Sequence, residues 1–260
     1  MTKTTVAFLV LCSAMCATSA SAGTIYDGTV TNNVIFGSGN LNGSWTIDQN
    51  NGVELGLRAK VRFDDNNQPQ NIFNSNGAGV YTFDPGQPSP GFGFAPNSSS
   101  SAKWNFEWSI NSDYLASSGS NLSDLNYLLE IDFDPSIGTN FQAFDPINVP
   151  DPDYADHAIG DNSTVNGGGT SAGNRADYLT LIGANNLAQN SWNMEFFDSA
   201  SFPFNSNQSG IYEIRLSAFD AGGSQLAQTS ITVSTVPEPS TMLSFACVGL
   251  FSMGMRRRRR

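Results

Sequence analysis

The sequence has a single histidine, His157, which directly follows Asp156. Nucleophilic hydrolysis requires a base within hydrogen-bond reach of the nucleophile, and His157 is the only imidazole available for that role. A histidine in a stretch rich in turn residues is also typical of a structural side chain that fixes an irregular loop. We expect the structural role, and a triad with a distant serine is the alternative.

Carboxylates offer a second kind of chemistry, because two of them on either side of a glycosidic bond can cleave it. Five acidic residues lie on predicted strands: Glu107, Glu130, Asp132, Glu195 and Glu213. Strand alternation places Glu107 on the polar face beside Asn105, and it places Glu130 and Asp132 together on one face. We expect these groups to be solvated surface carboxylates, and we expect the chain not to be an enzyme.

Aspartates are concentrated in one irregular stretch that also contains Asn148. They are Asp145, Asp151, Asp153, Asp156 and Asp161. Carboxylate, amide and loop carbonyl oxygens are the ligands that Ca²⁺ prefers, although the spacing is not that of an EF-hand loop. We favour solvated turn acids here, and a structural calcium site at these five residues is the alternative.

Exposed aromatic rings on one face of a sandwich are a common means of binding glycans. Four tryptophans could serve in this way: Trp45, Trp104, Trp108 and Trp192. Trp104 and Trp108, however, share the apolar face of their predicted strand. We therefore expect core packing for these two residues, and glycan binding by the tryptophans is the alternative.

Period-two alternation of apolar and polar residues is the dominant pattern between residues 23 and 235. In 53–63, for example, Leu55 and Leu57 face one way and Arg58 faces the other, which predicts a half-buried antiparallel strand. Strands are predicted at 24–30, 43–47, 53–63, 80–83, 103–110, 127–133, 191–197, 211–218 and 227–233, a short helix at 176–187, and a loop at 89–101. These elements predict an all-β domain, an antiparallel β-sandwich for which a jelly roll is one arrangement that fits.

Charge and cysteine content limit the partners of this domain. Only 13% of the residues are charged, about half the usual share. Residues 23–235 contain 22 acidic and 6 basic residues, a net charge of about −16, and no cysteine. This balance disfavours nucleic acid and anionic lipid as partners, and the lack of cysteine excludes a disulfide framework or a Cys-ligated zinc site there.

Residues 1–22 have the three parts of a secretory signal peptide. Lys3 gives the positive start, an apolar stretch follows, and Ala20-Ser21-Ala22 forms the small-residue cleavage site. We therefore expect the mature chain to begin near Gly23.

The end of the chain, residues 236–260, also has three parts. It consists of Val236, Pro237, Glu238, Pro239 and Ser240, then the uncharged residues 241–255, then Arg256, Arg257, Arg258, Arg259 and Arg260. The prolines keep the first part out of sheet and helix. Fifteen helical residues rise about 22 Å, short of the ~30 Å hydrocarbon core, so we expect a marginal transmembrane helix with its arginines on the cytoplasmic side.

This tail resembles the PEP-CTERM sorting signal of exosortase-processed proteins in Gram-negative bacteria, with Pro237, Glu238 and Pro239 at the recognition positions. Residues 36–40, 53–58, 104–108 and 156–160 resemble the ectodomain of a recurring PEP-CTERM group without an assigned activity. The resemblance implies signal peptidase cleavage, transient inner-membrane anchoring, cutting by an exosortase-type enzyme, and transfer to the cell surface or the exopolysaccharide matrix.

The sequence therefore predicts an exported surface or matrix-associated protein with a structural or binding role, for which extracellular polysaccharide is the candidate partner. A secreted hydrolase acting on matrix polysaccharide is the alternative.

The sorting interpretation makes a prediction about the mature C-terminus. Mass spectrometry of the protein recovered from medium and membrane fractions should show an extracellular form that lacks the arginine cluster, because the tail is cut after export. An extracellular form that retains Arg260 would contradict the interpretation.

Overall fold

A computed structural model of the chain describes residues 23–93 and 95–237. The expected signal peptide at 1–22, the expected membrane span at 241–255 and the arginines at 256–260 lie outside the described residues. Of the sorting motif, Val236 and Pro237 are described, whereas Glu238, Pro239 and Ser240 are not. Within the described residues, no helix is long and apolar enough to cross a membrane.

The described chain is mostly β-structure. Its strands are β1 (Ile25–Gly28), β2 (Trp45–Asn50), β3 (Val53–Val61), β4 (Val80–Phe83), β5 (Trp104–Asn111), β6 (Asn126–Asp132), β7 (Phe141–Phe144), β8 (Ala158–Gly160), β9 (Leu187–Trp192), β10 (Gly210–Phe219) and β11 (Gln225–Thr235). The described residues also form the helix α1 (Arg175–Ala184) and two short 3₁₀ turns (Leu122–Asp124 and Met194–Phe196).

The strands form two sheets. The six-stranded sheet has the order β1-β2-β3-β5-β9-β8, and the five-stranded sheet has the order β4-β11-β10-β6-β7. All neighbouring pairs are antiparallel except β4 and β11, which run parallel from the pair Val80 and Thr232 to the pair Phe83 and Thr235. The prediction of a purely antiparallel sandwich is therefore wrong at this edge, and the parallel pair also departs from the antiparallel arrangement of a jelly roll.

Eight of the nine predicted strands are confirmed, and the predicted strand at 191–197 is wrong. β9 ends at Trp192, and a 3₁₀ turn follows it. The predicted helix at 176–187 is confirmed as α1, which begins after Asn174, whose side chain accepts a hydrogen bond from the backbone N–H of Asp177. The helix ends three residues early because Leu187 already pairs with Asn111 of β5. The short strands β7 and β8 were not predicted.

One hydrophobic core joins the two sheets, and its largest side chains come from β5. The ring of Trp104 stacks on Phe83 of β4 with 6.0 Å between centroids, and it lies 6.4 Å from the ring of Tyr212 of β10. The first residue of β5 is thus packed against the end of β4 and the beginning of β10. These contacts place the same ends of both sheets beside one another.

The outer face of the six-stranded sheet is also covered, which corrects the prediction that 53–63 has a solvated polar face. Arg58 and Glu107 are 0% exposed and Lys60 is 3% exposed. The guanidinium of Arg58 lies 4.2 Å from the ring centroid of Trp45 and 4.5 Å from that of Phe73. β3 and β5 are therefore buried on both faces, and the expectation that Glu107 is a surface carboxylate is wrong.

A buried charged triad occupies this outer face. The Nε of Arg58 lies 2.6 Å from Oε2 of Glu107, and the Nζ of Lys60 lies 2.9 Å from its Oε1. The Nη1 of Arg58 also donates to the carbonyls of Leu41 and Gly43 at 2.7 Å. Burial lowers the pKa of both basic groups, and the charge of Glu107 opposes that shift. The triad is tolerable inside the protein only because its charges are paired.

We predict that Glu107→Gln lowers the free energy of unfolding by about 3–5 kcal/mol, because the amide leaves two buried cations without an anion. The matched control is Glu213→Gln, which breaks a pair with Arg215 whose side chains are 30% and 35% exposed. That change should cost less than about 1 kcal/mol. Urea denaturation of the three proteins measures both effects, and similar small losses for the two variants would contradict the prediction.

Candidate functional site

A cleft of about 390 Å³ opens where β3 and β9 end and β5 begins. Its described lining residues are Arg62, Phe63, Gly91, Phe92, Gly93, Asn105, Ser191, Asn193, Glu195 and Phe196. The strands supply the inner wall, the loop predicted at 89–101 supplies one rim, and the 3₁₀ turn after β9 supplies the other. The cleft thus combines aromatic rings with amide, hydroxyl and charged groups.

Two exposed phenylalanines stand at the mouth of the cleft. Phe92 is 40% exposed and Phe196 is 47% exposed, whereas Phe63, which also lines the cleft, is 8% exposed. The rings of Phe63 and Phe92 meet edge to face with 6.5 Å between centroids. A concave site with apolar rings and a few convergent polar groups has the composition of a small-molecule or sugar site.

Arg62 brings a positive charge to the cleft. Its guanidinium lies 4.5 Å from the ring centroid of Phe63, an arrangement that favours a fixed orientation. Partial burial lowers the pKa of Arg62, and the charge of Glu195 opposes that shift. Arg62 belongs to none of the ion pairs formed between described residues. Arg62 is one of the residues that line the cleft.

Asn193 builds the floor that carries Glu195 and Phe196. Its side chain accepts a hydrogen bond from the backbone N–H of Ala102 at 3.0 Å and a longer one from that of Glu195 at 3.3 Å. Its Nδ2 donates to the carbonyl of Ala102 and to Oδ1 of Asn105, both at 2.9 Å. Asn193 is only 2% exposed. This amide thus joins the 3₁₀ turn to the beginning of β5, and it positions both the carboxylate and the exposed ring.

Glu195 fastens the loop rim to this floor. Its Oε2 accepts hydrogen bonds from the hydroxyl of Ser101 and from the backbone N–H of Ala95, the latter at 3.2 Å. Gly93 sits against the same groups, since a Cβ added there would lie 2.4 Å from Oγ of Ser101, and its φ is +96°. Only glycine fits at that point without displacing the rim.

The structure does not bring the five candidate carboxylates together. Among the described residues that line the cleft, Glu195 is the only acid. Asp132 is 1% exposed and accepts backbone hydrogen bonds from Asp134 and Asn140, so the expectation of a surface carboxylate is wrong there too. Glu130 pairs in register with Arg215, whose side chain is bound to Glu213.

The exposed aromatic rings of the cleft do not belong to tryptophans. Trp45, Trp104 and Trp108 are at most 1% exposed, which confirms core packing for Trp104 and Trp108. Trp192 is half-buried, with its ring centroid 5.4 Å from that of Trp108. The aromatic side chains that do reach the surface at the cleft are phenylalanines, and sequence analysis did not select them.

His157 is a structural histidine. Its Nε2–H donates to the carbonyl of Pro146 at 2.6 Å, and its Nδ1 accepts from Nδ2 of Asn190 at 3.0 Å. The ring meets Trp108 edge to face at 4.7 Å. Burial lowers the pKa of His157 to about 4. Both ring nitrogens are occupied, so the imidazole is held neutral and serves no nucleophile.

A Gly-x-Ser-x-Gly sequence, the spacing of a nucleophile turn, occurs at 169–173 and was not among the candidates selected from the sequence. It lies just before α1. The hydroxyl of its Ser171 donates to the backbone carbonyl of Asp156 at 3.1 Å. Because His157 is bound to Pro146 and Asn190 instead, no Ser–His pair forms in this stretch.

The candidate calcium ligands are dispersed among separate turns. Asp145 accepts hydrogen bonds from the backbone N–H groups of Tyr127, Ile147 and Asn148 at 2.8–2.9 Å. Asp161 accepts a hydrogen bond from the backbone N–H of Ser163, and its hydrogen bonds with this residue lower the pKa of its carboxyl group.

The other three aspartates of that stretch make unrelated contacts. Asp156 accepts from Asn190 at 3.1 Å, Asp151 lies 3.8 Å from Nε of Arg175, and Asp153 binds the same arginine through its carbonyl. No group of three or more His, Cys, Asp or Glu residues among the described ones could hold a metal ion. The five aspartates therefore do not form a ligand set in the structure.

The fold and the cleft together define a mixed β-sandwich with an open, partly aromatic cleft among its strand ends and loops. The family model of the PEP-CTERM protein-sorting motif matches residues 235–260. The chain is thus an exported protein that carries a PEP-CTERM signal, passes through a membrane-anchored sorting intermediate and is processed by an exosortase-type enzyme. No curated protein and no solved structure matches the chain.

The buried histidine predicts a definite pH response. The folded pKa near 4 lies below the ordinary value of 6.5. The neutral ring therefore contributes stability that is complete above pH 6.5 and is lost as the pH falls towards 4, by about 3 kcal/mol in total.

The ring resonances of the single histidine report the titration directly by NMR. They should stay unchanged between pH 8 and pH 5 and shift only near pH 4. The variant His157→Gln should lose correspondingly less stability than the wild type over this range. A ring that titrates near pH 6.5 in the folded protein would contradict the assignment.

Proposed function

We propose that the exported domain binds extracellular polysaccharide in the cleft and works at the cell surface or in the secreted matrix. The observation that carries this proposal is the placement of two exposed rings, Phe92 and Phe196, at the rims of a cleft lined by polar groups. Large apolar side chains at the mouth of a polar concave site mark a binding surface rather than a folding need.

Sugar chemistry suits this combination of groups. A pyranose ring has apolar C–H faces that can pack on an aromatic ring, and its hydroxyls pair with amides, hydroxyls and guanidinium groups. Asn105 and Ser191 are joined by a 3.1 Å hydrogen bond on the wall, and Arg62 stands beside them. Arg62 also offers a partner for sugar carboxylates or sulfates, which the strongly acidic remainder of the domain does not.

The number of carboxylates in the cleft supports binding without hydrolysis. Glycoside cleavage by the common mechanisms requires two carboxyl groups separated by about 5–9.5 Å. Glu195 is the only carboxylate in the described lining, and its Oε2 already accepts hydrogen bonds from the hydroxyl of Ser101 and the backbone N–H of Ala95. We therefore propose that the domain is not an enzyme and that Glu195 fastens the rim of the cleft.

The test measures retardation of the exported domain in gels containing matrix polysaccharide purified from the cells that make it. Phe92→Ala and Phe196→Ala should each weaken binding about tenfold, which corresponds to ~1.4 kcal/mol. Leu115→Ala is the matched control, because Leu115 is 59% exposed beyond the opposite end of β5. It should bind like the wild type. Equal mobility of all four proteins in gels with and without the polysaccharide would refute the proposal.

A further inference from the structure

The sorting tail leaves the sandwich at a defined place. β11 ends at Thr235, and the backbone N–H of Val236 donates to the carbonyl of Phe83 at 3.1 Å. The last described residue is Pro237, and the uncharged run begins at Thr241. Four residue steps span at most about 14 Å even when fully extended. In the membrane-anchored intermediate, this end of the sandwich is therefore held close to the bilayer.

Three loops surround the point of exit. Thr235 pairs with Gly210 at the beginning of β10, and the N–H of Ile211 donates to the carbonyl of Pro135 in the turn between β6 and β7. The stack of Phe83 on Trp104 adds the loop that connects β4 to β5. We call these residues, together with the turn after β9, the exit end of the sandwich. The cleft opens on the same end.

The exit end exposes large apolar side chains. They are Phe92 (40% exposed), Ile137 (97%), Phe196 (47%), Ile211 (45%) and Val236 (44%). These are five of the thirteen large apolar residues that are exposed in the described part of the chain. Ile137 is the most exposed of all and lies in the turn between β6 and β7. Apolar side chains exposed at the end of the sandwich that carries a membrane tether have an apolar partner in the bilayer interface.

We propose that the exit end docks on the surface of a zwitterionic phospholipid bilayer while the protein is anchored as the sorting intermediate. The short tether supplies the proximity, and the five apolar side chains supply the contact. Asp84, Asp134 and Asp198 lie in the surrounding loops, and they outnumber the basic residues of this end, Lys103 in the loop before β5 and Arg62 in the cleft. Since these acids would repel an anionic surface, docking depends on apolar contact with uncharged or zwitterionic headgroups and is weakened by anionic lipid.

Docking has a consequence for the cleft, and this consequence alone rests on the proposed function. Phe92 and Phe196 belong both to the exit end and to the rims of the cleft. The bilayer covers these rings as long as the tail is intact. Cutting the tail then makes the cleft available to polysaccharide, so that binding follows processing.

The test uses the chain from Gly23 to Arg260 inserted through its tail into phosphatidylcholine vesicles that contain headgroup spin-labelled lipid. Residues 23–235 contain no cysteine, so Cys247→Ala allows a single cysteine to be introduced and labelled with a fluorophore. The labelled positions are Ile137→Cys and Phe196→Cys, with Leu115→Cys as the control. β10 has ten residues, so the control lies roughly 30 Å from the exit end.

We expect the spin-labelled lipid to quench the fluorophore at 137 and 196 several-fold more than at 115. Replacing part of the phosphatidylcholine with phosphatidylglycerol should reduce that quenching. Ile137→Ser should lower the quenching at 196, whereas Leu115→Ser should not. Equal quenching at all three positions would refute docking. Low fluorescence at 137 and 196 that persists in vesicles without spin-labelled lipid would also refute docking, because it would show that a second copy of the chain contacts this end. The readout contains no glycan, so a failure of polysaccharide binding would leave it unaffected.

Discussion

The ion pairs between Glu107 and the two basic residues of β3 are the interaction on which the rest of this fold depends. They are placed on the outer face of the central strands, where a sandwich of this size would normally meet water. The chain segments that cover this face exclude water from a carboxylate that lies between two buried cations. Arg58 itself holds part of that cover through the carbonyls of Leu41 and Gly43.

The chain segments that cover the outer face of the six-stranded sheet pack closely enough to restrict which residues fit in β3. A Cβ at Gly56 would lie 2.7 Å from Cγ1 of Val30 and 3.2 Å from Cε3 of Trp45. Glycine at this position therefore reflects the close approach of Val30 and Trp45 and not a need for an unusual backbone angle. The six-stranded sheet is in effect the middle layer of the molecule, with the hydrophobic core on one side and the charged triad under irregular chain on the other.

The cleft begins where this cover ends. Arg58, Lys60 and Arg62 follow one another at period two on the same face of the β3 segment, and they are half of the basic residues between 23 and 235. The first two are both ion-paired with Glu107 beneath the covering chain. Arg62 is half-buried beyond the end of β3, against Phe63. The same face of the β3 segment therefore carries buried ion pairs along the strand. Just beyond the end of the strand, it presents the positive charge of Arg62 within a strongly acidic domain.

Sequence periodicity was sufficient for the strands that are long enough to show it, and for the burial of Trp104 and Trp108. It could not reveal that both faces of β3 are covered, because the covering residues are far away in the chain and have no periodicity of their own. The cleft was missed for a similar reason. Phe92 lies between two glycines of a loop, and Phe196 lies in a turn that alternation suggested was a strand. Glycines that flank an aromatic residue in a loop were the available signal for the first of them.

The position of the cleft follows from the topology rather than from any local motif. β11 ends beside the last residue of β4, and β5 begins in contact with that residue. β9 ends at Trp192, which pairs with Phe106 of β5, and the chain turns at once at Asn193. Each of these chain ends must lie at the same end of the sandwich, because the stack of Phe83 on Trp104 sets the two sheets in one register. A domain built in this way cannot separate the cleft from the attachment point of its sorting tail, because both lie at the same end of the sandwich.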